Sequence, residues 1–347
     1  MTSKAESPPR AVVRHVDLRY FAIVLLPIAI FAMEGVITDH MMPRAVLIPP
    51  DIVNMDHPWL EIAGRYRFLA ASWFFGAFAV LAAALVVRTL LRPLSVQTRV
   101  VSVGTWLFVI ALALLPTVTG DDAGPPTYRW IGSEVFETAL SQGTLAGCAG
   151  PDDRWLLGRC GPLPAVTLFN RVLDIINFLA GLGIGALIVG MILCLNRGRA
   201  ASVEDEAAVL ADNFKQMRQQ LYLSSLVLTL GMFFATSWMH WPMPMVTGDA
   251  RSAYGTLILS TALFTGTYFT LLILSFYLPV AVLLDGRARD LARRKGRSGD
   301  GEAPQDADAW LASHGLKEGV GDYLKAGFAL AAPVLTAFAG GISPLQL

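Results

Sequence analysis

Charge is scarce in this chain. Only 16% of its residues are Asp, Glu, Lys or Arg, against about a quarter in an ordinary soluble domain. Residues 68–87 carry no ionisable side chain at all. An aqueous fold is therefore excluded for much of the sequence. Lys and Arg together number 27, as do Asp and Glu, so the basic surplus of a nucleic-acid-binding protein is also missing. No phosphate loop, nucleophile elbow, HExxH pair or CxxC pair occurs. Each of those motifs places a nucleophile, a metal ligand or a phosphate cradle at fixed spacing. Without them, a soluble-enzyme reaction has no machinery here, and the chain reads as non-enzymatic.

Cysteine is nearly absent, with three in 347 residues. Cys148 and Cys160 fall in one segment, GCAGPDDRWLLGRC, which lies on the extracytoplasmic side in the topology derived below. That compartment permits disulfides, and a loop of this length is easily closed, so a Cys148–Cys160 bridge is expected. Cys194 sits in an apolar run and is expected to be an inert filler.

Long apolar runs take the place of charge. They cover 20–37, 68–87, 100–119, 172–195, 221–240 and 253–284. Each has about the length needed to cross roughly 30 Å of hydrocarbon. In that medium the backbone N–H and C=O groups find no water, so each run is predicted to be a helix. The expected fold is an all-α polytopic bundle of about six transmembrane helices. The first run is too long for a signal-peptide core, and no A-x-A-like site follows it, so it reads as a retained helix.

Basic residues orient the bundle. With residues 1–19 in the cytoplasm, the cytoplasmic segments hold 19 of the 27 Lys and Arg residues. The positive-inside rule then puts both termini in the cytoplasm, in a bacterial inner membrane. The resulting organisation is a 1–19 tail, a 20–285 membrane domain and a 286–347 basic linker with a membrane-associated tail. The membrane domain carries outer loops 38–66 and 120–169 and a cytoplasmic helix over 202–220. Residues 1–16 read as disordered. The Pro-rich 38–66 loop reads as an irregular cap, and 133–141 as a short helix capped by Ser133. Ser202 is a good N-cap, followed by Glu204, Asp205 and Glu206. Ala207, Leu210, Phe214, Met217 and Leu221 then recur at coiled-coil spacing without a breaker, which predicts one helix over 203–240. The apolar segment 326–342 contains Pro333, Gly340 and Gly341 and is expected to lie on or re-enter the inner face.

Three constellations carry candidate chemistry. On the fourth run Asn170, Asp174, Asn177, Gly181 and Gly185 share a narrow helical arc, with Glu34 of the first run as a second acid. Acids in a membrane face protein or water, so these are candidates for an ion path, or for packing at the outer boundary. On the sixth run Thr256, Ser260, Thr267 and Thr270 form a hydroxyl stripe with Leu263 and Leu274 between them. Such a stripe lines a water path gated by leucines, or bonds to neighbouring backbones in a dry bundle. On the outer side His40, His57 and His240 gather with Met239, Met243 and Met245. Thioether and imidazole donors suit copper or another transition metal, and methionine also suits an apolar boundary.

The leading expectation is an oligomeric channel or membrane-gating effector, a homo-oligomer in a lipid bilayer with no nucleic-acid partner. The alternatives are a membrane metalloprotein using the Met/His site and a receptor sensing a periplasmic ligand through its outer loops.

Overall fold

The computed structural model describes residues 14–41, 53, 58–118, 127–142, 152–155, 158–159, 162–198, 202–297, 307–317 and 319–341. The all-α bundle is as expected. A 3-10 turn, Leu18–Val24, leads into α1 (Leu25–Met41). It is followed by α2 (Pro58–Leu90), α3 (Val96–Val118) and α4 (Thr127–Ser141). After a two-residue hairpin of β1 (Arg154–Trp155) and β2 (Gly158–Arg159) come α5 (Pro162–Leu193) and α6 (Val203–His240). A second 3-10 turn, Met243–Met245, precedes α7 (Ala250–Arg297), α8 (Ala307–Ser313) and α9 (Val320–Gly341).

Seven of these helical stretches, not six, are long and apolar enough to cross a membrane. The addition is α9, which the sequence placed at the inner face. Arg218 and Asp322 meet at 3.5 Å near the start of α9. At the other end, a Cβ on Gly340 would lie 3.1 Å from Oγ1 of Thr236. The separations, 218 to 236 on α6 and 322 to 340 on α9, are equal, so α9 runs beside α6 in the same direction. Eighteen residues of helix rise about 27 Å, close to the hydrocarbon thickness. To the six spans that the sequence marked, α9 adds a seventh candidate where a tail on the inner face was expected.

Small residues explain the fit. Gly266 of α7 approaches Pro333 and Ala337 so closely that an added Cβ would sit 2.5 Å from the Ala337 Cβ. Gly341 meets Leu259 in the same way. Pro333, Gly340 and Gly341, which read as interruptions, are contact points within or at the end of a continuous helix. Bringing backbones together through small residues is how membrane helices gain packing without a hydrophobic driving force.

The continuous helix expected over 203–240 forms as predicted, with α6 running from Val203 to His240. Ser202 Oγ accepts the backbone N–H of Asp205 at 3.0 Å and so caps the helix. Ala207, Leu210, Phe214, Met217 and Leu221 are all buried, in one core with Ala288, Leu291 and Ala292 of α7 and Trp310 and Leu311 of α8. The seam is thus used within the chain. Arg294 and Lys295 of α7 pair with Glu206 and Glu204 at 2.7 and 2.6 Å. These exposed pairs are screened by solvent and contribute little, whereas each large seam residue contributes about 1.5–3 kcal/mol by burial. Apolar packing holds the extension, and the ion pairs set its register.

Residues 14–16, expected to be disordered, are paired. The Arg14 N–H donates to the Pro93 carbonyl at 2.9 Å, and the Ser95 N–H donates to that of Arg14 at 2.9 Å. His15 and Arg197 exchange both backbone bonds, at 3.1 and 2.8 Å. The segment therefore clasps the α2–α3 and α5–α6 connections. Asn196 and Asn213 tighten the second, since each side-chain amide donates to the other residue at 3.0 and 2.8 Å.

The outer loops are shorter than expected. Helix α1 extends to Met41 and α2 begins at Pro58, where proline's missing N–H is harmless. Helix α4 begins at Thr127, so Ser133 lies inside it and is not its cap. Helix α5 begins at Pro162. Cys148 and Cys160 lie outside the described residues. Cys194 is buried, with its Sγ on the Gly190 carbonyl at 3.3 Å.

Candidate functional site

The outward face of α7 changes character along its length. Thr256, Ser260 and Thr267 are exposed, on the half nearer the outer loops. Further along, the exposed large residues are Leu271, Leu278 and Val282. The hydroxyls do not project unpaired. Thr256 donates to the Ser252 carbonyl at 3.1 Å and Ser260 to that of Thr256 at 2.9 Å. Such back-bonding lets a polar stripe face either lipid or water without an orphan donor. Thr270 departs from the expected stripe: it is half-buried, and its Oγ1 is enclosed without a partner among the described residues. Leu263 and Leu274 are half-buried, so Leu271, Leu278 and Val282 form the apolar continuation instead. The opposite face is core, with Ile258, Ala262, Ile273 and Phe276 fully enclosed.

The polar arc of α5 meets α3. A Cβ on Gly181 would lie 2.6 Å from that of Ala113, and one on Gly185 would lie 2.8 Å from Trp106. Trp106 Nε1 donates to the Leu182 carbonyl at 2.9 Å. The glycines of the arc therefore serve close packing, as their position suggested. Asp174 and Asn177 are half-buried on the same side and both engage other groups. The side chain of Asn170 lies outside the described residues. Glu34, half-buried on α1, accepts the Thr38 hydroxyl at 3.3 Å.

The most buried acid is one that sequence reasoning passed over. Glu61, in the first turn of α2, is fully enclosed. Its Oε1 and Oε2 receive Arg65 Nη2 at 3.0 and 2.8 Å. Oε1 also accepts Trp241 Nε1–H at 2.8 Å. Phe68 stacks on the Trp241 ring at 5.1 Å, and Phe136 of α4 meets it edge-on at 4.6 Å. Gly64 lets Trp241 lie against α2, and Gly132 lets Trp238 lie against α4. The carboxylate and these aromatics lock α2, α4 and α6 together at the outer end. A signal for this existed in the Glu61/Arg65 spacing, an i,i+4 pair that a helix brings together. It was hidden because 38–66 read as irregular.

The Met/His constellation divides. Met239, Met243 and Met245 are buried in the apolar core. The His240 ring bonds through Nδ1 to the Thr236 carbonyl at 3.0 Å, which requires Nδ1 to carry the hydrogen. In the neutral ring Nε2 then holds the lone pair, and it is enclosed without a partner among the described residues. His57 and the side chain of His40 lie outside those residues. Among the described residues no group of three or more His, Cys, Asp or Glu side chains gathers as a metal cage would.

Comparison with protein-family models found no match, and comparisons with curated proteins and with solved structures found none either.

Proposed function

We propose that the chain is a non-enzymatic subunit of an oligomeric channel or membrane-gating effector in the bacterial inner membrane. The carrying observation is the outward face of α7, hydroxyl-bearing at Thr256, Ser260 and Thr267 and apolar at Leu271, Leu278 and Val282. Among the described residues no other element covers these positions. Copies arranged about an axis would bring the stripes together as a wetted vestibule followed by an apolar constriction, which gates by excluding water. The same helix, 48 residues long in all, runs on into the cytoplasmic layer. It packs there against the α6 extension, so movement of that layer would be transmitted to the constriction.

Flux through liposomes carrying the purified protein tests this reading. Ion flux that rises in Leu278→Ser supports it. A monomer without flux, in both the wild type and Leu278→Ser, overturns it. A second reading, a metal handler, is favoured by the enclosed Nε2 of His240, with His40 and His57 as further donors. It requires bound copper or another transition metal that is lost in His240→Ala.

A further inference from the structure

On the basic face, the first turn of the first span is ringed by arginine. The guanidinium carbons of Arg19 and Arg287 each lie 5.1 Å from the centre of the Tyr20 ring. Arg19 Nη2 donates to the Tyr20 hydroxyl at 3.2 Å. Arg197 is anchored on the same side by its backbone pairing with His15, five residues before Tyr20. Two acids lie nearby, and both are engaged: Asp17 with Arg19 at 2.8 Å and Asp212 with Arg14 at 3.3 Å. Arg197 and Arg287 have no ion pair among the described residues.

Arg287 is the telling member. Its Nη1 donates to the Leu195 carbonyl at 2.9 Å. Its Nε and Nη2 are enclosed and form no hydrogen bond of good geometry among the described residues, although the Tyr20 hydroxyl lies close enough to interact with this guanidinium. Enclosed donors on a permanent cation are costly to leave unpaired, and a small outward turn of the side chain would present this fork to two oxygens of one phosphate. Leu18, Leu25 and Leu26 are exposed on the same turn and the one that follows, where they offer an apolar surface continuous with the arginines.

We propose that Arg19, Arg197 and Arg287 bind the phosphate headgroup of an anionic phospholipid of the leaflet at the basic face. One acyl chain would lie along Leu18, Leu25 and Leu26. Position decides the source: Tyr20 opens the span Leu18–Thr38, at the level where headgroups sit and basic pockets between helices recruit them. The bound lipid would hold the N-terminal clasp, the α5–α6 turn and α7 in one arrangement.

The test is native mass spectrometry of the delipidated full chain, titrated with phosphatidylglycerol, phosphatidylcholine or inorganic phosphate. Phosphatidylglycerol is expected to be retained preferentially, and several-fold less in Arg287→Gln and Arg197→Gln. Arg88→Gln, at the exposed end of α2, is expected to bind as the wild type does. Arg197 is exposed, so its variant remains informative if Arg287→Gln does not fold. Equal retention of the two lipids, or unchanged phosphatidylglycerol binding in Arg197→Gln, overturns the proposal. Inorganic phosphate binding as tightly as phosphatidylglycerol also overturns it, in favour of a soluble anion.

Discussion

Trp241, the C-cap of α6, donates its indole N–H to Glu61 in the first turn of α2, 180 residues earlier, at 2.8 Å. Glu61 is itself gripped by Nε and Nη2 of Arg65, so one carboxylate serves three donor groups from two residues. A buried ion pair adds little over an apolar substitute, but removing one member strands the other. Glu61→Ala is therefore expected to destabilise the protein by about 3–5 kcal/mol. Trp241→Phe keeps most of the ring packing and removes one charge-assisted bond, a loss of about 1.5–3 kcal/mol. Thermal unfolding of both variants in one detergent checks the order, and an equal loss would mean that the carboxylate matters only through the indole.

Glycine replacements should separate contact from open surface. An added Cβ at Gly181 meets Ala113 at 2.6 Å and the Ile110 Cα at 3.3 Å. Neither neighbour is a flexible side-chain end, so Gly181→Ala must push α3 away. The expected loss is about 1–3 kcal/mol. Gly104 lies within α3 with nothing inside 4 Å. There alanine relieves a helix of backbone entropy, a gain of about 0.5–1 kcal/mol. Melting temperatures moving in opposite directions are the expected result.

Periodicity made the bundle legible where one physical rule dominated. Ser202, the acidic first turn and the spacing from Ala207 to Leu221 agreed on one helix, and α6 runs from Val203 to His240. The arc of Gly181 and Gly185 correctly marked a close helix contact. Reading failed where tertiary packing reversed the local meaning of a residue. Pro333, Gly340 and Gly341 weaken an isolated helix, yet they fit α9 against α6 and α7. Glu61 looked like a loop residue because four prolines, Pro43, Pro49, Pro50 and Pro58, precede it in the same segment, and its partner Trp241 is remote. The arginines around Tyr20 come from three distant stretches, so no window of sequence displays them together.

Cysteine scanning of α7 distinguishes its faces. Thr256→Cys and Thr267→Cys, on exposed positions, are expected to react with a water-soluble thiol reagent in intact membranes if the stripe borders water. Ala262→Cys, on a fully enclosed position, is expected to stay unreactive. In the proposed assembly, labelling at residue 267 also reduces flux. If Thr256→Cys and Thr267→Cys react only after solubilisation in detergent, the stripe faces lipid and the channel reading fails.

Acid should loosen the turn after α8. The Lys317 ammonium, 2.8 Å from Asp308, holds that carboxyl below its ordinary value. A folded value below the unfolded one gives a stabilisation that is present above about pH 4 and is lost as pH falls through the folded value. Hydrogen exchange within 307–317 is expected to quicken on acidification below pH 4, and Asp308→Asn is expected to remove that dependence. An exchange rate in the wild type that is flat down to pH 2 would dismiss the contact as a stabilising one.

The direction of α9 decides the topology of the whole chain. Its contacts with α6 keep equal spacing over 18 residues, from Asp322 beside Arg218 to Gly340 beside Thr236. A helix lying on the membrane surface would touch α6 near one level and then diverge. Contact over about 27 Å requires α9 to enter the bilayer wherever α6 does. A reporter active only outside the cytoplasm, fused after Leu347, is expected to be active. The same fusion placed after residue 300 is expected to be inactive, because six crossings precede that point. Inactivity of both fusions would return α9 to the inner face. It would also imply that Gly266, Gly340 and Gly341 meet their neighbours only after α9 detaches from the surface. Leucine at Gly266, which lies against Pro333 and Ala337, tests the packing directly: it is expected to expel α9 and abolish activity of the C-terminal fusion while leaving the earlier crossings in place.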